Sequence, residues 1–278
     1  MTDLRHWDVG ANVAVSYERY LVPAVFRPWA LDLVAAAVPR AGERVLDLAC
    51  GTGIVARLAA PAVGLAGRIT GVDSNEQMLA VARSLPDSQG ITWRVGTATA
   101  LPFADQTFDL VLCQQGLPFF PDRAAALREM ARVLVPGGRV ALTVWRSLRH
   151  NPTFAALVEA VDRYCGAQAT ATVRLSFTLG EAPELIGLLA QAGFSAIVAR
   201  PVAKTLRFAS PEAFVLQYGA GSPLAAAVAQ LDPQTRAALA AEVRVVVDAY
   251  ADDRGLLVPM EAHMMVAQRA LRPVDPGR

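Results

Sequence analysis

Arg44-Val-Leu-Asp-Leu-Ala-Cys50-Gly51-Thr-Gly53 is a short apolar run that ends in glycines, and Ile54 to Ala60 behind it has helical character. A strand that turns into a helix over glycines lets the backbone approach a ligand closely, with the unpaired N–H groups of the helix N-terminus alongside. Asp73 closes a second strand-like run, Arg68-Ile-Thr-Gly-Val-Asp73. An acid there can accept hydrogen bonds from both ribose hydroxyls of an adenine cofactor. Taken alone, the glycines also suit a plain strand–helix turn, and Gly51-x-Gly53-x-x-Ala56 fits a dinucleotide fingerprint.

Outward from this turn the same rhythm continues. A helix over Glu76–Ser84 leads to strands over Ile91–Val95 and Phe108–Gln114. The helix Arg123–Leu134 stops at Val135-Pro-Gly-Gly138, and Arg139–Trp145 is a fifth strand. Near-continuous apolar strands alternating with helices predict an α/β fold, a mostly parallel sheet covered on both faces. Upstream, 12–38 reads as helical with Tyr17, Tyr20 and Leu21 on one face. Downstream, helices are expected over 152–165 and 183–192, a strand over Phe194–Val202, helices over 211–218, 223–230 and 233–250, and a last strand over about 256–268. The division that follows is a helical lid over 1–40, a core over 41–208 and 253–272, and a helical cap over 209–252.

Composition narrows the function. Over 278 residues the formal net charge is +1, without the clustered basic stripe that nucleic acid requires. Hydrophobic residues make up 54% and charged residues 18%, enough apolar material for a large core. Cys50, Cys113 and Cys165 stand far apart, which predicts reduced thiols and a cytoplasmic protein, and no His/Asp/Glu spacing suggests a metal. Met1–Gly10 carries Asp3, Arg5, His6 and Asp8 and lacks an apolar signal-peptide core. Mean hydropathy is high at +0.33, yet charges or prolines interrupt each apolar stretch, so no integral membrane segment is expected.

Residues 44–145 resemble the class I S-adenosylmethionine-dependent methyltransferases, especially the ubiquinone/menaquinone-biosynthesis type. Val45 to Gly53 matches that family's first motif, and Gly71-Val-Asp-Ser-Asn-Glu-Gln-Met-Leu79 its ribose-binding segment. Ala100-Leu-Pro-Phe103 with Phe108-Asp109, and Arg132-Val-Leu-Val-Pro-Gly-Gly-Arg139, match two later motifs that a dehydrogenase would not carry. The resemblance implies a Rossmann-like seven-stranded sheet with its last strand antiparallel, and helical cap insertions. It implies S-adenosylmethionine as cofactor, with backbone at Ala49, Gly51 and Gly53 lining the methionine end and Asp47 orienting that loop or reaching the amino group through water. Asp73 would take the ribose, Ser74, Met78, Thr97 and Ala98 would border the adenine, and Tyr17 and Tyr20 would belong to the lid. Thr97 departs from the acidic residue usual at its position. Gln114 would stand where methionine and acceptor meet.

The expected partner is a small, largely hydrophobic acceptor of the kind met in secondary-metabolite biosynthesis, methylated on O, N or C by a monomer or homodimer. Gln115, Phe119, Arg174, Phe177 and Tyr218 are the candidate acceptor contacts. A sulfonium methyl is already electrophilic, so alignment and exclusion of water matter most, and a base is needed only if the acceptor must lose a proton. His150 is the candidate base, with His6 in the lid and His263 in the last strand as weaker choices. Two other readings stay open, because fold alone does not fix function: pericyclase- or decarboxylase-like chemistry on the same fold, and an inactive cofactor-binding scaffold.

Overall fold

A computed structural model describes residues 11–271; His6 lies outside them. Five parallel strands, β1 (Arg44–Leu48), β2 (Arg68–Asp73), β3 (Ile91–Val95), β4 (Phe108–Gln114) and β5 (Leu134–Trp145), form one half of the sheet. β8 (Gly255–Arg269) runs antiparallel between β5 and β6 (Phe194–Phe208), giving the order β3-β2-β1-β4-β5-β8-β6. The two-residue β7 (Ala251–Asp252) folds back on β8 and makes the sheet eight-stranded, where seven strands were expected. The strand order reverses beside β1, and in such sheets ligands bind beyond the carboxyl ends of the strands at that point.

Both sheet faces are buried, as the apolar strands require. Leu110 and Leu112 of β4 pack on one face against α2 (Arg27–Ala37) and α3 (Ile54–Val63). Val111 and Cys113 pack on the other against α5 (Arg123–Val133) and α8 (Ala182–Gln191). A third cluster lies under α6 (Pro152–Cys165), α9 (Pro211–Gly221) and α11 (Pro233–Val247), centred on Phe154, Phe208 and Phe214. Polar caps mark several helix starts. Asn75 accepts from Gln77 and Met78 N–H at α4 (Glu76–Ser84), and Asp122 and Asp232 do the same for α5 and α11.

Several boundaries differ from the sequence reading for identifiable reasons. β5 begins at Leu134, because an irregularity opposite Phe108–Leu110 absorbs Pro136, Gly137 and Gly138, with Gly137 at φ +75°. β6 runs on to Phe208 past Pro201, which an edge strand tolerates. The N-terminal helical run continues through Pro23 by widening into a π-helix over Tyr17–Phe26, between α1 (Ala11–Ser16) and α2. Asn12–Ala37, 26 residues long with an 18-residue stretch of mean hydropathy 1.2, is long and apolar enough to cross a bilayer by length and composition alone. Its Leu21, Val25, Trp29 and Leu33 are buried in the core clusters of this fold.

Candidate active site

The turn after β1 is built by two carboxylates. Asp47, 1% exposed, accepts from the Ala56 N–H through Oδ2 at 2.9 Å and so ties the strand to the first turn of α3. Its Oδ1 is buried without a partner, and burial pushes its pKa up to about 7. Asp73, at the end of β2, accepts from Gly51 N–H at 2.8 Å and from Asn75 N–H at 2.9 Å. Gly51 (φ +54°) and Gly53 (φ +86°) adopt left-handed backbone, and so does Ala49 at φ +55°. A Cβ on Gly53 would lie 2.1 Å from the Trp93 ring, so this position must stay bare.

Above this turn a cavity of about 290 Å³ opens along the carboxyl ends of β1, β2, β4 and β5. Of the residues expected at the site, Tyr17, Ala49, Gly51, Asp73, Ser74, Met78, Thr97, Ala98, Gln114, Gln115, Phe119 and Tyr218 line it. Met78 also packs with Ala14 of α1. Gln114 donates Nε2–H to the Phe26 carbonyl at 2.9 Å. Gln115, at φ +59° and 6% exposed, donates to Thr143 Oγ1 at 3.2 Å, and its Oε1 is buried without a partner. Burial, then the Glu18 carboxylate, holds the Tyr17 phenol well above its usual range, and burial raises Tyr218 too.

Asp47 lies beneath the loop, off the cavity lining, where it orients the turn. Five expectations are corrected. Gly53 faces Trp93 instead of the cavity. Tyr20 turns aside under Arg19, 5.3 Å from ring to guanidinium, because the π-helix brings Tyr17, Leu21 and Phe26 to the cavity instead. Arg174 and Phe177 belong with an element the sequence reading missed, α7 (Ala167–Leu175). Val173 and Ser176, three apart, line the cavity, while Arg174 and Phe177 are one position further round and meet α6. There Arg174 pairs with Asp162, and Phe177 packs 5.7 Å from the Phe154 ring.

His150 is the fifth. Its Nε2 is 2.8 Å from Arg146 Nη2 and its Nδ1 3.1 Å from Ser147 Oγ, and it does not line the cavity. His263 is 4% exposed and bonded through Nε2 to the Gly180 carbonyl. Among the described residues that line the cavity Asp73 is the one carboxylate, and histidine, lysine and arginine are missing. Sequence reasoning overlooked Phe26, Trp145, Ser176 and Ser222, which also line it. Trp145 could have been found, since it ends β5 where the sheet presents ligand contacts.

A switch-point cavity beside a glycine turn, with a pinned carboxylate at the second strand end, defines a nucleoside-binding α/β enzyme. A methyltransferase domain model matches residues 46–142. The 2-phytyl-1,4-naphtoquinone methyltransferase of Thermosynechococcus vestitus is 37% identical over 175 residues, 58% of this chain and 76% of that protein. The ubiquinone/menaquinone biosynthesis C-methyltransferase UbiE of Xylella fastidiosa is 44% identical over 119 residues, 41% of this chain and about half (47%) of that protein. In fold, the YcgJ protein of Bacillus subtilis superposes with a TM-score of 0.58 at 20% identity, covering 87% of this chain and 99% of that one. The chain belongs to the class I S-adenosylmethionine-dependent methyltransferases of the quinone-biosynthesis type. Its cofactor is S-adenosylmethionine, and the open glycine turn with a carboxylate on the cavity wall fits that group.

Proposed function

We propose that the protein methylates a small, uncharged aromatic acceptor of the hydroquinone type. The observation that carries this reading is the lining of the cavity. Besides Asp73, Ser74, Thr97 and the glycine turn it has Phe26, Phe119, Phe120, Trp145 and Tyr218, with no cationic side chain among the described lining residues. Flat apolar walls suit a ring, and the lack of a cation disfavours a phosphorylated or carboxylated acceptor. The quinone substrates named for two relatives support the same class.

When bound, S-adenosylmethionine supplies an electrophilic methyl carbon on a cationic sulfur. Asp73 would accept from the ribose hydroxyls, its geometry set by the two backbone N–H groups that hold it. Ala49 and Gly51 would line the methionine end, and Ser74, Met78, Thr97 and Ala98 the adenine. Tyr17 and the 209–252 helices, which contribute Tyr218 and Ser222, would close over the acceptor and exclude water. Among the described residues no histidine lines the wall; the acceptor proton would pass to solvent before the cavity closes, and the rate derives from alignment of the electron-rich nucleophile that remains.

The test is a panel of acceptors scored by S-adenosylhomocysteine release. Reduced naphthoquinols and phenols should be methylated, with phosphoethanolamine and glycine at least about tenfold lower in kcat/KM. A preference for the charged acceptors would overturn the assignment.

A further inference from the structure

We propose that Gln114 selects the acceptor by presenting a fixed hydrogen-bond acceptor, so that the bound ring must carry a hydroxyl donor. The inference rests on the hydroxyaromatic reading above and adds the residue that reads the hydroxyl.

Gln114 ends β4 and lines the cavity. Its Nε2–H donates to the Phe26 carbonyl at 2.9 Å. A carbonyl can only accept, so the amide nitrogen must face Phe26, and reversing the amide would set two oxygens against each other. Oε1 is therefore held as an acceptor. Phe26 ends the π-helix, and its ring stands 4.9 Å from Tyr17 and 6.4 Å from Trp145, all three on the cavity wall. The residue that clamps the amide thus also shapes the aromatic wall where the ring would lie.

The neighbouring amide does not share this property. Gln115 bonds the Thr143 hydroxyl, which can donate or accept, so its amide has no enforced orientation. The Ser176 hydroxyl donates to the Val173 carbonyl, which leaves its oxygen as a second acceptor on the wall, and Ser222 Oγ accepts from Leu224 N–H and keeps its own hydrogen to donate. An acceptor without a donor would leave the Gln114 oxygen desolvated and unpaired, a stronger basis for rejection than a change in ring size.

The experiment measures binding of 1,4-dihydroxynaphthalene, kept reduced, and of 1,4-dimethoxynaphthalene to the S-adenosylhomocysteine complex by calorimetry. Wild type should bind the diol at least about tenfold tighter than the diether. In Gln114→Met, at saturating S-adenosylhomocysteine, that ratio should fall to about threefold or less. Gln114→Glu keeps acceptor oxygens but loses the donor to Phe26, so it should bind both naphthalenes more weakly and keep the preference for the diol. A purely structural role would weaken both compounds alike in Gln114→Met. If that variant does not fold, loss of the preference in Gln114→Glu overturns the proposal. So does a wild-type ratio near one, or an unchanged ratio in Gln114→Met. Failure of wild type to bind either naphthalene would instead overturn the hydroxyaromatic reading itself.

Discussion

Asp47 and Asp73 serve the same glycine turn from different sides. Asp73 lines the cavity, whereas Asp47 lies under the turn with one oxygen on Ala56 N–H and the other unpartnered. Burial is what raises the Asp47 pKa to about 7, and the Ala56 N–H only partly offsets it. An acid whose pKa is raised on folding is stabilising in its protonated form. That contribution is complete below the unfolded value near 4 and is lost as pH rises through about 7. In the cofactor-free protein, stability should therefore fall by about 2–3 kcal/mol from this group between pH 5 and pH 8. Asp47→Asn keeps an acceptor for Ala56 and removes the titration, so its urea midpoint should change less over that range. Equal pH dependence in both proteins would show that Asp47 does not titrate as described.

At the scale of elements, legibility followed the strength of the local pattern. β2, β3, β4 and α4 have the bounds read from sequence, because each is an apolar run closed by a polar or glycine signal. α7 was missed because Ala167-Gln-Ala-Thr-Ala-Thr-Val173 offers threonines and alanines without an apolar 3.6-residue stripe. That omission shifted two site assignments, since it hid that Val173 and Ser176 share the cavity face. The cofactor turn was legible because glycines and acids at strand ends have few uses. The acceptor end was not, because aromatic residues build cores and cavities alike. Phe177 illustrates the point: at 5% exposure against Phe154 it is core. Phe177→Ala should cost about 3 kcal/mol in chemical denaturation and leave the acceptor KM within about twofold. A large KM change with little loss of stability would return Phe177 to the site.

Across the whole molecule, the N-terminal helical run packs on α9 beside the cavity, and most tightly at one glycine. A Cβ on Gly221 of α9 would lie 3.0 Å from Leu21 Cγ and 3.1 Å from the Tyr17 backbone. The same N-terminal segment is held to α3 by the Glu18–Arg57 pair at 2.8 Å, with side chains 17% and 8% exposed. It is held to the sheet by Gln114. Tyr17 thus sits between α9 and the glycine turn; a Cβ on Gly51 would lie 3.9 Å from its ring and hydroxyl. Separation of the N-terminal run from α9 would displace Tyr17, which lines the cavity. Gly221→Val presses the two apart, because a single added methyl already requires Leu21 and the Tyr17 backbone to give by a few tenths of an ångström and valine adds two further carbons. The variant should raise the KM values of cofactor and acceptor together, each by about tenfold, since Tyr17 lines the cavity that both would share. Amide exchange over 17–26 should quicken, while exchange over β1, β4 and β5 stays slow. Gly187→Val is the matched control, a glycine on α8 with no atom within 4 Å of an added Cβ, and it should leave both KM values unchanged. Unaltered kinetics in a folded Gly221→Val protein would mean that the cavity does not depend on this contact.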